Sequence, residues 1–129
     1  MDRNVLIKRN ESSEPLKYTV MNAYTKGPVY CVLFEKDGVR TTHKFPLGSL
    51  YCVTEDYIPS KHGELSEKVM LVEIQREETS QPIELEAYNT FTTRSMYCVV
   101  QKVESEFIVE KYPLCTLFRM IEGYNASKR

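Results

Sequence analysis

The sequence predicts an all-β fold, a small antiparallel β-barrel or sandwich, and three observations carry that prediction. Short runs of β-branched and aromatic residues are closed by Gly, Pro, Asn or Asp, the pattern of strands and turns. Apolar spacing at the helical period is nearly missing. Two short polar turns, Lys36-Asp37-Gly38 and Val103-Glu104-Ser105-Glu106, each join two apolar-rich arms.

The first expected strand, Asn4 to Lys8, centres on Val5-Leu6-Ile7. Leu16 to Tyr24 follows, and then Val29 to Glu35, whose two faces are both apolar, so that burial on both sides is expected. Val39 to Phe45 is dominated by Arg40, Thr41, Thr42, His43 and Lys44 and is expected at a solvated sheet edge. Leu50 to Thr54 is the fifth. In Val69 to Gln75 the Val-Met-Leu-Val-Glu-Ile run favours a pleated surface over the helix that Leu65, Val69 and Val72 would allow. Ile83 to Tyr88, Met96 to Lys102, Glu106 to Lys111 and Thr116 to Met120 complete ten strands. The double-faced burial recurs at Val69 to Val72 and at Tyr97 to Val100, a surplus of apolar surface that hints at a partner. Residues 59–67 are expected to be an exposed loop.

At 129 residues the chain fits one domain, taken as 1–122, with 123–129 a frayed tail, and no internal repeat is expected. Seventeen Lys plus Arg against eighteen Asp plus Glu leave a formal charge of -1, which argues against a dedicated nucleic-acid or acidic-membrane binder. No apolar run approaches the ~20 residues of a membrane span, and the first residues lack the pattern of a secretion signal, so an intracellular, reducing compartment is expected. The cysteines at 31, 52, 98 and 115 lie too far apart for a metal framework, and Cys31, Cys52 and Cys98 sit in apolar runs as small buried groups. No cofactor and no metal are expected.

Catalytic constellations are missing. Cys31 and His43 could face each other across the Asp37-Gly38 turn, but no acidic orienter accompanies them, and His43 and His62 both have surface surroundings. Glu73, Glu77 and Glu78 around Arg76 are a solvated charge run. No Gly-rich phosphate loop occurs. The chain is expected not to be an enzyme. Tyr24, Tyr51, Tyr57, Tyr88 and Tyr112 could stack single-stranded RNA but share no basic neighbourhood, while Tyr30, Tyr51 and Tyr97 could form a cage for a peptide or modified side chain.

Ser95-Met96-Tyr97-Cys98-Val99-Val100-Gln101-Lys102, followed by Glu106-Phe107-Ile108-Val109-Glu110-Lys111 and a strand to Met120, resembles the close of the N-terminal domain of the ELL-associated factors. Val5-Leu6-Ile7, Glu11-Ser12-Ser13-Glu14 and Tyr18-Thr19-Val20 resemble its opening, and the same close is similar to TFIIF-type dimerisation subunits. The middle departs: residues 40–68 are longer than the family's region, and Ala87-Tyr88-Asn89 stands where the family has a Phe-Lys-Gly-type segment. The resemblance implies half of a TFIIF-like dimerisation barrel completed by a partner chain. It further implies a nuclear, non-enzymatic domain that pairs with an ELL-type elongation factor and supports elongation by RNA polymerase II. Self-association is the other pairing considered. The partner-facing residues expected are Tyr97, Val99, Phe107, Val109 and Leu117, with an intrachain core as the other role open to each.

Overall fold

The computed structural model describes residues 3–66 and 69–123. It is mostly antiparallel β: β1 Arg3–Lys8, β2 Leu16–Val20, β3 Asn22–Lys26, β4 Val29–Lys36, β5 Val39–Pro46 and β6 Cys52–Asp56 precede a one-turn helix α1, Pro59–His62. After it come β7 Met70–Gln75, β8 Ile83–Ala87, β9 Asn89–Thr93, β10 Met96–Val103, β11 Glu106–Pro113 and β12 Arg119–Glu122. Three sheets result, with orders β2-β1-β6-β11-β10-β9, β3-β4-β5 and β12-β7-β8, and none closes into a barrel.

The two turns singled out in the sequence form as expected. Lys36 pairs with Val39 around Asp37 and Gly38, at φ 52° and 78°, and Val103 pairs with Glu106 around Glu104 and Ser105, at φ 50° and 73°. Two consecutive left-handed residues give the strand-matched hairpin turn. That two-residue loop sets Cys31 opposite Lys44 and Val32 opposite His43, one position away from the expected facing of Cys31 with His43. The expected strand from Leu16 to Tyr24 is broken at Met21, where the chain leaves one sheet for another, and Met21 N–H donates to Leu33 O at 2.7 Å. The strand β9 was not expected, and the last strand starts at Arg119 rather than Thr116, because Leu114–Thr116 coils into a 3-10 turn. The expected loop at 59–67 holds α1, residues 67 and 68 lie outside the described residues, and so does the expected frayed tail beyond Gly123.

The expectation of no internal repeat is overturned. Every strand of the first half recurs in the second at a constant shift of 67 positions, so that Val5 matches Val72, Ile7 Ile74, Pro15 Pro82, Asn22 Asn89 and Thr25 Thr92. Tyr30-Cys31-Val32 likewise matches Tyr97-Cys98-Val99, and Pro46-Leu47 with Leu50 matches Pro113-Leu114 with Leu117. Registers repeat too: Tyr30 pairs with Phe45 as Tyr97 pairs with Tyr112, and Val5 with Glu55 as Val72 with Glu122. Single hydrogen bonds follow. Tyr51 N–H donates to Lys8 O and Phe118 N–H to Gln75 O, both at 2.8 Å, and Tyr88 N–H donates to Val100 O at 2.8 Å where Met21 N–H meets Leu33 O.

Each half therefore has its own core. Val5, Ile7, Val20, Tyr30, Val32, Leu47, Leu50 and Val53 form one, and the equivalents Val72, Ile74, Ala87, Tyr97 and Val99 form the other with Leu114, Leu117 and Met120 packed against them. The second face of β10, made by Met96, Cys98 and Val100, is buried in the first half's core. That accounts for the apolar surplus at Tyr97 to Val100 within the chain itself.

The two-core arrangement predicts unequal costs at equivalent positions. Leu47→Ala, at a 2 % exposed site, should lower unfolding free energy by about 2–5 kcal/mol, and Leu114→Ala, only half-buried, by less, as read from urea melts.

Candidate functional site

The two halves meet along one antiparallel ladder, in which β6 of the first half pairs with β11 of the second: Val53 with Lys111, Thr54 with Glu110, Glu55 with Val109 and Asp56 with Ile108. Inside this seam lies a buried ionic cluster. Glu55 is 4 % exposed, and its carboxylate accepts the hydroxyl of Tyr30 at Oε2, where Lys111 Nζ also stands at 3.0 Å. At Oε1 it meets His62 Nε2 at 3.3 Å and Lys61 Nζ at 3.5 Å. Lys61 Nζ also donates to Ala23 O at 2.9 Å.

The short helix delivers two of these groups. Pro59 presets its first turn, and Gly63 ends it at φ 85°, where an added Cβ would come within 3.0 Å of Asn89 Nδ2. Ile58 N–H donates to His62 Nδ1 at 2.9 Å, so the ring carries its proton on Nε2 and donates it to Glu55. Expected at the surface, His62 is 2 % exposed, stacked between Tyr57 and Phe91 at 6.0 Å from each; His43 is exposed as expected. Burial by itself would raise the Glu55 carboxyl's pKa, but His62, Lys111, Lys61 and Tyr30 together hold it well below its ordinary 4.5. Burial, with Glu55 beside it, pushes the Tyr30 hydroxyl far up.

Beside the cluster opens a cleft of about 630 Å³, lined by Tyr24, Thr25, Lys26, Lys61, His62, Phe91, Arg94 and Lys111 among others. Four cations thus face one cleft with two aromatic rings, and Tyr24 has the basic neighbourhood that the sequence did not reveal. Arg94 holds a left-handed backbone, φ 51°, at the position where the first half has Gly27.

Among the described residues six strands lie at sheet edges, β2, β9, β3, β5, β8 and β12, and two of these are the repeat counterparts of the seam strands, β5 of β11 and β12 of β6. β5 bonds only to β4, and β12 only to β7. Of the residues expected to face a partner, Tyr97, Val99 and Val109 are buried in the chain's own cores, Phe107 packs on Tyr57 and Tyr88, and Leu117 packs against the second core. On or beside β5 and β12 the large apolar residues Val39, Phe118 and Ile121 are exposed. Tyr30 and Tyr97 are too buried for an open cage, and Tyr51 lies under Arg76, 3.9 Å from the ring centroid. Among the described residues no group of three His, Cys, Asp or Glu could hold a metal ion, and no helix is long and apolar enough to cross a membrane.

Comparison with protein-family models, with curated proteins and with solved structures finds no match.

Two outcomes follow from the cluster and the cysteines. Because Glu55 titrates lower in the folded than in the unfolded chain, its contribution is complete above about pH 5 and is lost as pH falls through 4.5 and below. Thermal melts should show that acid loss, and Glu55→Gln, which leaves Lys111 buried beside an uncharged group, should remove about 3–5 kcal/mol at neutral pH and flatten the acid limb. Cys115 is exposed, whereas burial lifts Cys52 to about 11 and Cys98 to about 12, and Cys31 is buried. A native thiol titration should therefore give one fast cysteine, lost in Cys115→Ser.

Proposed function

We propose that this chain is a non-enzymatic protein-interaction domain, which binds a partner chain by strand addition at its open edges. The observation that carries the reading is the pair of edge strands β5 and β12, each bonded on one side only among the described residues, with exposed Val39, Ile121 and Phe118 on or beside them. An open edge offers a row of backbone donors and acceptors to another strand. The resemblance of residues 95–120 to the ELL-associated factors nominates an ELL-type elongation factor as that partner, in a nuclear complex supporting RNA polymerase II elongation, with the two chains sharing a barrel. Co-expression with an ELL-type N-terminal domain followed by light scattering tests this form: a one-to-one complex supports it, and two separately eluting chains sink it.

A second reading, an anion-binding cleft suited to single-stranded RNA, is favoured by Arg94. A non-glycine residue in the left-handed region costs about 1–2 kcal/mol, and the same position in the first half is glycine. Strain kept where a cation lines a cleft supports a role for that cation. Arg94→Gly should raise the melting temperature while weakening binding of a labelled oligonucleotide in anisotropy titrations. Unchanged binding, or no binding by the unsubstituted chain, removes this reading.

A further inference from the structure

We infer that a second copy of this chain occupies the open edges, with β12 of one copy pairing antiparallel to β5 of the next in the register of the internal seam. The inference rests on the reading that these edges are the binding surface, and it names the occupant. The seam joins a β6 to a β11, and the repeat makes β12 the counterpart of β6 and β5 the counterpart of β11. Each chain thus carries both halves of a second seam and, among the described residues, leaves the seam-side edge of each unpaired. Transposing the observed register sets Lys44 opposite Met120, His43 opposite Ile121, Thr42 opposite Glu122 and Thr41 opposite Gly123.

Side-chain chemistry is retained along with the register. Lys44 and Glu122 are the counterparts of Lys111 and Glu55, the pair that closes the internal seam at 3.0 Å. Glu122 already accepts a hydrogen bond from Tyr97 Oη at 2.5 Å, as Glu55 does from Tyr30, and another from Thr90. Among the described residues no salt bridge reaches Glu122, where Glu55 has Lys111, Lys61 and His62. Lys44 is exposed where Lys111 is 4 % exposed, and no ion pair engages it among the described residues.

The surface beside β5 fits the same occupant. Gly27, Pro28, Val29, Cys31 and Lys44 line an open, largely apolar hollow of about 370 Å³. Their counterparts in the second half include Met96, Cys98 and Lys111, all buried within the chain. The first half's hollow is therefore the uncovered form of a surface that the second half covers. Because β5 and β12 are different surfaces, the contact is head-to-tail and propagates until a ring closes and neither β5 nor β12 is left bare.

Charge reversal on the two exposed residues tests this; Lys44→Glu leaves both cores intact, and because Glu122→Lys removes the acceptor of Tyr97 Oη, its circular dichroism and melt are compared with those of the unsubstituted chain first. Light scattering of the full chain should give a mass at least twice the 15.1 kDa of one copy. Lys44→Glu alone would face Glu122, and Glu122→Lys alone would face Lys44, so each variant should fall to the single-copy mass. Mixing the two should restore the assembly, since every junction again joins opposite charges. A single-copy mass for the unsubstituted chain, or an assembly indifferent to both reversals, overturns the inference. The interaction reading stands in either case if the chain still forms a complex with the ELL-type domain, and it falls separately if that complex does not form and the unsubstituted chain stays single-copy.

Discussion

One antiparallel ladder of four residue pairs, β6 against β11, joins the halves into a continuous six-stranded sheet. It brings together groups that neither half would bury alone. Glu55 comes from the first half, Lys111 from the second, and Lys61 with His62 from the short helix between them. A carboxylate removed from water is tolerated only with full hydrogen bonding and opposite charge, so the ladder, the helix and the tyrosine beneath must form together. A buried pair of this kind contributes little net stability over an apolar contact of equal volume. What it does is penalise every register that leaves the charge alone, which fixes how the halves meet.

Much of the fold was legible because hairpin chemistry and β-branched runs are local. Asp37-Gly38 marks its turn unaided, and the solvated character of Val39 to Phe45 follows from its polar residues. The strand β9, Asn89–Thr93, was not legible, since Asn, Thr and Phe acquire strand character there only by pairing with β10. The repeat was hidden by a decoy. Tyr-Cys-Val occurs at 30, 51 and 97, and the middle copy is out of phase with the shift that relates the other two. Pro-Leu followed by Leu three residues later, at 46 and 113, carries the same shift without a decoy and is the signal that would have exposed it.

The candidate site was far less legible. Glu55 sits in the sequence between Thr54 and Asp56 like any surface carboxylate, and His62 lies in a Ser-Lys-His-Gly stretch of loop composition. Their burial arises from tertiary contacts: Glu55 meets Lys111 of the other half across the seam, and His62 is stacked between Tyr57 and Phe91. The two halves have also diverged where their surroundings differ. Thr41 and Thr42 on the open β5 correspond to Ile108 and Val109 on the paired β11, so polar residues stand where the strand is bare and apolar ones where it is covered. Glycine at 27 against arginine at 94 follows the cleft in the same way.

Because β6 finds its seam partner only in β11, the order of synthesis matters. All six strands of the first half leave the ribosome before any strand of the second, and Glu55 waits in water until Lys111 has been made. During that interval the nascent chain shows a bare β6 edge, and the earliest strand offering the chemistry of β11 is β5 of a neighbouring nascent copy. On a crowded polysome the duplicated half is thus a competitor for its own seam, and fast elongation through residues 57–113 favours the intrachain closure.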